Sequence, residues 1–120
     1  MMRERVFVYG TLRRGGSNHD LIADGRLLGE FVTEPAYRML DLGYYPGVVA
    51  GGAAVLGEVY GVTPSMLQTL DRLEDVPHLY IRDSLHTPWG KAWIYIYRRP
   101  VITAPQVPGG DWMRYAHGQG

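Results

Sequence analysis

The chain has 120 residues, a length that fits one domain, expected here to span residues 1–120. Lys and Arg (12 together) balance Asp and Glu (12 together), and this lack of net charge argues against a nucleic-acid partner. There is no cysteine, so disulfides, thiolate metal sites and cysteine nucleophiles are excluded. No apolar run is long enough to cross a membrane and no signal-peptide core follows the first residues, so we expect a cytoplasmic protein with no membrane partner.

Short strand-like segments separated by frequent turns dominate the chain, a pattern typical of all-β and α+β domains. In chain order, strands are predicted at residues 5–9, 26–33, 36–42, 55–62, 79–86 and 91–98, with a short apolar piece at 48–50. Asn18 is expected to cap a short helix that runs to about Ala23. A tail that begins near Thr103 is expected to wrap over the surface, with Asp111 and Trp112 pinning it. Six or seven strands and one or two helices predict an α+β fold, a small mixed β-barrel with flanking helices, because closure removes exposed strand edges.

The clearest predicted helix runs from Pro64 to about Glu74. Thr63 suits the N-cap and Pro64 suits the first helical position, whereas Pro77 is expected to end the helix. Its apolar stripe consists of Met66, Leu67, Leu70 and Leu73.

Glu74 lies about 50° from the centre of that stripe at about 100° per residue, so it is aimed at the core or at a cavity within it. The helix C-terminus and desolvation would both raise the pKa of its carboxyl group toward neutrality, where a general acid or base works best. The alternative is a carboxylate that reaches solvent at the edge of the stripe or pairs with Arg82. Most of the other glutamates, Glu58 among them, lie in or beside strands, where they are expected to face solvent.

A loop at residues 9–12 forms a second candidate feature, in which the first strand ends at Tyr9. Gly10 then allows close backbone approach, and a hydroxyl follows at Thr11. Free backbone N–H groups in such a loop can hold a carboxylate or an oxyanion. The alternative is an ordinary junction between a strand and a turn.

Residues 8–15, Val-Tyr-Gly-Thr-Leu-Arg-Arg-Gly, with Asn18 and His19 following, resemble the N-terminal signature of the gamma-glutamylcyclotransferase-like family. Residues 70–82 resemble its second signature, in which a leucine and an aspartate precede the glutamate and a short loop leads to a tyrosine and an arginine. The spacing from Glu74 to Tyr80 is most similar to the gamma-glutamylamine cyclotransferase branch and its small bacterial members. The resemblance covers roughly residues 5–112.

This resemblance implies a small barrel and an enzyme that acts on a small gamma-glutamyl substrate with no metal or other cofactor. The substrate's own α-amine attacks its γ-carbonyl, which yields 5-oxoproline and a free amine. Glu74 matches the family's catalytic glutamate. The substrate-binding loop of the family corresponds to Tyr9, Gly10, Thr11 and Leu12.

Two further tyrosines are candidates for the substrate site. Tyr80 is expected to bond Glu74 or to line the pocket, with a core position as the alternative. Tyr45 and Tyr44 are candidates for a wall of the pocket, with ordinary loop packing as the alternative. Asp75 departs from the family pattern, in which a small residue commonly follows the glutamate, and its charge would raise the pKa of Glu74 further.

Other functions stay open at this stage. One is a non-catalytic barrel that binds a small amino-acid-like ligand, and another is a protein-interaction module. The oligomeric state also stays open, since nothing in the sequence requires more than a monomer.

Overall fold

The computed structural model describes residues 2–100 and 103–117, so the remaining positions of the expected domain lie outside the described residues. The strands are β1 (Glu4–Val8), β2 (Arg26–Val32), β3 (Tyr37–Asp41), β4 (Pro46–Ala50), β5 (Leu56–Val62), β6 (Tyr80–Thr87) and β7 (Gly90–Tyr97). The helices are α1 (Pro64–Leu73) and α2 (Trp112–His117), with short 3₁₀ turns at His19–Leu21 and Pro108–Gly110. The α+β class is confirmed and the strands lie close to their predicted positions, whereas α2 was not predicted. In the described part of the chain, neither helix has the length and apolar character that a membrane-spanning helix needs.

The strands form two sheets. One has five strands in the order β2-β5-β1-β7-β6, and the other is the β3–β4 hairpin. β1 runs parallel to β7 and the remaining pairs are antiparallel, so the larger sheet is mixed, as expected.

The closed barrel of the sequence prediction is not found in residues 2–100 and 103–117, because β2 and β6 remain at opposite edges of the larger sheet. The physical reason is the β3–β4 hairpin. It packs across one face of the sheet, where Gly47 lies against Tyr97 of β7, instead of joining the two edges.

The central strand β1 is buried on both of its faces. Phe7 packs with the β3–β4 hairpin and with Trp112 of α2, whereas Val6 and Val8 pack on the opposite face with Leu70 of α1. This alternation follows from the two-residue period of a strand. The chain that follows β1 therefore begins near the centre of the molecule, between the hairpin and α1.

Helix α1 begins as predicted. The backbone N–H of Met66 donates to Oγ1 of Thr63 over 3.1 Å, and Pro64 occupies the first helical position. Leu67 and Leu70 are buried, whereas Leu73 of the predicted stripe is 39% exposed. The helix ends at Leu73, before Pro77.

Candidate active site

A cavity of about 260 Å³ lies beyond the C-terminal end of β1. All eight residues that the sequence indicated for the site line this one cavity: Tyr9, Gly10, Thr11, Leu12, Tyr44, Tyr45, Glu74 and Tyr80. The remaining lining residues are Phe7, Val8, Ser17, Asn18, Pro46, Leu73, Leu79 and Tyr95. Pockets for drug-sized ligands span about 300–1,000 Å³, so this cavity suits a ligand of amino-acid size.

The turn after α1 places Glu74 at the cavity. The N–H of Asp75 donates to the carbonyl of Arg72 over 3.2 Å, and the N–H of Val76 donates to the carbonyl of Asp71 over 3.0 Å. Asp75 has a φ of 52°, the left-handed conformation that this type of helix ending requires. The chain therefore reverses directly after Glu74, which holds that residue between the helix and the turn.

The Glu74 carboxylate is half-buried and no described residue forms a hydrogen bond or an ion pair with it. Burial raises the pKa of Glu74 from 4.5 to about 7. The neighbouring Asp75 side chain is exposed, and burial rather than its charge is the cause of the shift. Nε of Arg82, the alternative partner, instead lies 3.1 Å from Oδ1 of Asp71. The carboxylate is thus open to a ligand and changes its charge near neutral pH.

The loop at residues 9–12 is held by close backbone approach and by Asn18. An added Cβ on Gly10 would lie 2.7 Å from Cγ of Pro46, so only glycine fits between β1 and the hairpin. The N–H of Asn18 donates to the carbonyl of Thr11 and its side-chain amide donates to Oγ1 of Thr11, each over 2.9 Å. Asn18 occupies the N-cap position of the short 3₁₀ turn His19–Leu21, as predicted, but its side chain binds this loop and makes no capping hydrogen bond.

The same loop carries unused hydrogen-bond donors. In the described part of the chain, the backbone N–H groups of Gly10, Thr11 and Leu12 donate to no protein acceptor. These donors suit an anion such as a carboxylate or an oxyanion.

A buried ionic network anchors the segment that follows the loop. Oε1 of Glu58 accepts hydrogen bonds from the Arg14 backbone N–H and the Tyr60 hydroxyl, each over 3.0 Å. The Arg13 guanidinium lies 3.5 Å from Oε2 of Glu58 and 2.9 Å from Oδ1 of Asp111. Burial works to raise the pKa of Asp111, but hydrogen bonds from Arg13 and the backbone of residue 114 outweigh it and lower that pKa. The expectation that Glu58 faces solvent was wrong, because it holds the loop from inside.

Three tyrosine side chains that line the cavity use their hydroxyl groups to hold the framework. Tyr9 donates to the carbonyl of Tyr95 over 2.7 Å, and Tyr80 donates to the carbonyl of Pro46 over 2.8 Å. Tyr95 donates to Oδ1 of Asp71 over 2.8 Å. Burial raises the pKa of all three, and the charge of Glu74 adds to the effect. Each therefore stays a neutral donor near neutral pH.

Tyr80 thus lines the pocket without bonding Glu74. Tyr95 was not among the residues that the sequence indicated for the site. The signal for its further role was its phenol group, since a buried tyrosine hydroxyl requires a partner.

Comparisons with known proteins agree with this geometry. Residues 6–114 match the family described as "Gamma-glutamyl cyclotransferase, AIG2-like". A Vibrio cholerae protein whose name assigns it provisionally to the gamma-glutamylcyclotransferases is 51% identical over 111 residues, which cover 92% of this chain and 96% of that protein. The gamma-glutamylcyclotransferase family protein YtfP of Escherichia coli is 40% identical over 109 residues, which cover 91% of this chain and 96% of YtfP.

A crystal structure of an uncharacterized protein from Pyrococcus horikoshii superposes with a TM-score of 0.82 at 28% identity, with 97% of each chain covered. The chain belongs to the gamma-glutamyl cyclotransferase, AIG2-like family. At the level of the family, the expectation of an enzyme of the gamma-glutamylcyclotransferase type is confirmed.

Proposed function

We propose that this chain cyclises a gamma-glutamyl amine or a gamma-glutamyl amino acid and releases 5-oxoproline and a free amine. The observation that carries the proposal is the Glu74 carboxylate, which has no hydrogen-bond or ion-pair partner among the described residues and has a pKa of about 7. It shares one cavity with the unused N–H donors of the loop at residues 10–12. This cyclisation requires a proton acceptor and hydrogen-bond donors for an anion, both within one cavity of amino-acid size.

The charges of a glutamyl headgroup fit the groups around the cavity. Its α-carboxylate would accept hydrogen bonds from the loop N–H groups, and its α-ammonium would lie against the Glu74 carboxylate. The Thr11 hydroxyl accepts a bond from Asn18 and keeps its own proton for a ligand oxygen. Holding both groups fixes the orientation of the α-carbon, and a folded side chain then brings the γ-carbonyl carbon to the α-nitrogen, so that ring closure is accelerated by proximity.

The reaction then needs a group that moves protons, which is the role we assign to Glu74. Ionised Glu74 takes one proton from the α-ammonium, and the resulting amine attacks the γ-carbonyl carbon to form the C–N bond of the ring. Glu74 returns that proton to the departing nitrogen as the amide C–N bond breaks and the carbonyl re-forms. The ring nitrogen still carries one proton more than it has in 5-oxoproline. Glu74 takes this proton and passes it to the released amine, which leaves as an ammonium. Glu74 ends ionised, as it began.

The test is release of 5-oxoproline, measured by mass spectrometry, from a panel of gamma-glutamyl amines and amino acids. Glu74→Gln keeps the shape of the side chain and removes its basicity, so we expect kcat to fall by about 100-fold or more. Glu34→Gln removes the same charge from an exposed position that does not line the cavity, and it should retain wild-type activity.

Two outcomes would overturn the proposal. Equal activity of Glu74→Gln and the wild type would remove the catalytic role of Glu74. Absence of product across the panel, with tight calorimetric binding of a gamma-glutamyl ligand, would favour a binding protein without turnover.

A further inference from the structure

The rim of the cavity differs in chemistry from its interior. Tyr44 is 96% exposed, and Tyr45 and Leu73 are each 39% exposed, yet all three line the cavity. Exposed apolar side chains gathered at the mouth of a pocket mark a contact surface for a ligand. The two tyrosines lie in the turn between β3 and β4, and Leu73 is the last residue of α1, so two separate elements contribute to this rim.

The described residues that form this rim, Tyr44, Tyr45 and Leu73, carry no charge. Among the described residues that line the cavity, Glu74 is the one charged side chain. A ligand group that carries a carboxylate or an ammonium into the rim would therefore give up hydration without gaining an opposite charge. An alkyl or aryl group would instead gain contact with the tyrosine rings and the leucine.

The direction of the substrate follows from the proposed function, on which this inference rests. The loop at residues 10–12 and Glu74 hold the glutamyl headgroup, and Glu74 protonates the departing nitrogen. The carbons attached to that nitrogen must then begin beside Glu74 and extend toward the open side of the cavity. Leu73 directly precedes Glu74 in the chain and is exposed there.

We propose that Tyr44, Tyr45 and Leu73 form a subsite for the leaving amine that selects uncharged alkyl or aryl amines. Gamma-glutamyl amides of amines that bear a second charge, including gamma-glutamyl amino acids, are the poorer substrates. This assigns the specificity for the leaving group to the rim, whereas recognition of the headgroup belongs to the loop and Glu74.

A matched series of three substrates tests the proposal. Gamma-glutamyl-butylamide is neutral beyond the amide, its 4-aminobutyl analogue adds a terminal ammonium, and its 3-carboxypropyl analogue adds a terminal carboxylate at nearly the same length. Measured by 5-oxoproline release, kcat/KM for the butylamide should exceed that of both charged analogues by about 10-fold or more, which corresponds to about 1.4 kcal/mol. Equal or faster turnover of either charged analogue would overturn the inference.

Variants at the rim give a second, independent readout. Tyr44→Arg places a cation on the rim at an almost fully exposed position, so it should fold and should shift the preference toward the carboxylate-bearing analogue by about 5-fold or more. Tyr44→Gln removes the ring without adding charge and should lower kcat/KM for the butylamide without that shift. Gln68→Arg adds the same charge to an exposed position of α1 that does not line the cavity, and it should leave the ranking unchanged.

The results separate the two proposals. Release of 5-oxoproline with no difference between Tyr44→Arg and Gln68→Arg would overturn the rim subsite and leave the cyclisation intact. Silence with all three substrates would overturn the cyclisation, and with it the subsite.

Discussion

Replacing Glu74 with Gln should stabilise the folded protein above neutral pH. The pKa of Glu74 is about 7 in the folded chain against an ordinary value of 4.5, so the folded state holds this proton more tightly than the unfolded state does. The free energy of unfolding therefore falls as pH rises from 4.5 to about 7, and the whole decrease is present above that range. The difference between the folded and unfolded pKa values of Glu74 corresponds to a decrease on the order of 3 kcal/mol.

The assay is thermal unfolding of the wild type and Glu74→Gln at pH 4 and at pH 8. At pH 8, the glutamine variant should melt about 10 °C higher, since about 3 kcal/mol produces such a change in a domain of this size. At pH 4, the wild-type carboxyl group is largely protonated in both states, so the two melting temperatures should nearly coincide. Glu34→Gln, which removes an exposed carboxylate, should change little at either pH.

This prediction has a clear refutation. Equal melting temperatures at pH 8 would mean that the carboxylate is either hydrated or paired in the folded protein. A gap at pH 4 as large as that at pH 8 would mean that packing rather than ionisation separates the variants. A destabilising carboxylate retained in the cavity is the cost that a functional site imposes on a fold.

Three further predictions concern the loop and its proton acceptor. Gly10→Ala brings a Cβ to 2.7 Å from Cγ of Pro46, so the loop must shift and kcat/KM should fall by about 10- to 100-fold; unchanged kinetics would contradict the tight approach. Glu58→Gln removes one of the negative charges beside the buried Arg13 guanidinium, so the free energy of unfolding, measured by urea denaturation, should fall by about 3 kcal/mol. A fall of less than about 1 kcal/mol would contradict the buried network. Because only ionised Glu74 accepts the substrate proton, kcat/KM should rise with pH and level off above about 7, and a profile that is flat from pH 5 to 8 would contradict that role.

Local features of the site were predictable from the sequence. The position of Glu74 beside a helical stripe showed that it faces inward, and Thr63 with Pro64 identified the start of the helix that carries it. A strand that ends at a glycine indicated the loop. These inferences succeed because periodicity, capping and backbone freedom are properties of a few consecutive residues.

Features that depend on distant residues were not predictable in the same way. The strand count did not reveal that the β3–β4 hairpin leaves the main sheet, because pairing joins segments far apart in the chain. Glu58 alternates along its strand like a solvent-facing residue, and only the approach of Arg13 and Asp111 shows why it is buried. Asn18 suits a helix cap by residue type, yet Thr11 offers its amide a partner in the folded chain.

The most direct test of the central claim uses a gamma-glutamyl-butylamide labelled with ¹⁵N at its α-amine and incubated with the enzyme in H₂¹⁸O. Attack by the substrate's own amine predicts 5-oxoproline that carries ¹⁵N in its ring and no ¹⁸O, together with an equal amount of butylamine. Glutamate that carries ¹⁸O would show that water attacks the γ-carbonyl, and it would contradict the proposed intramolecular cyclisation.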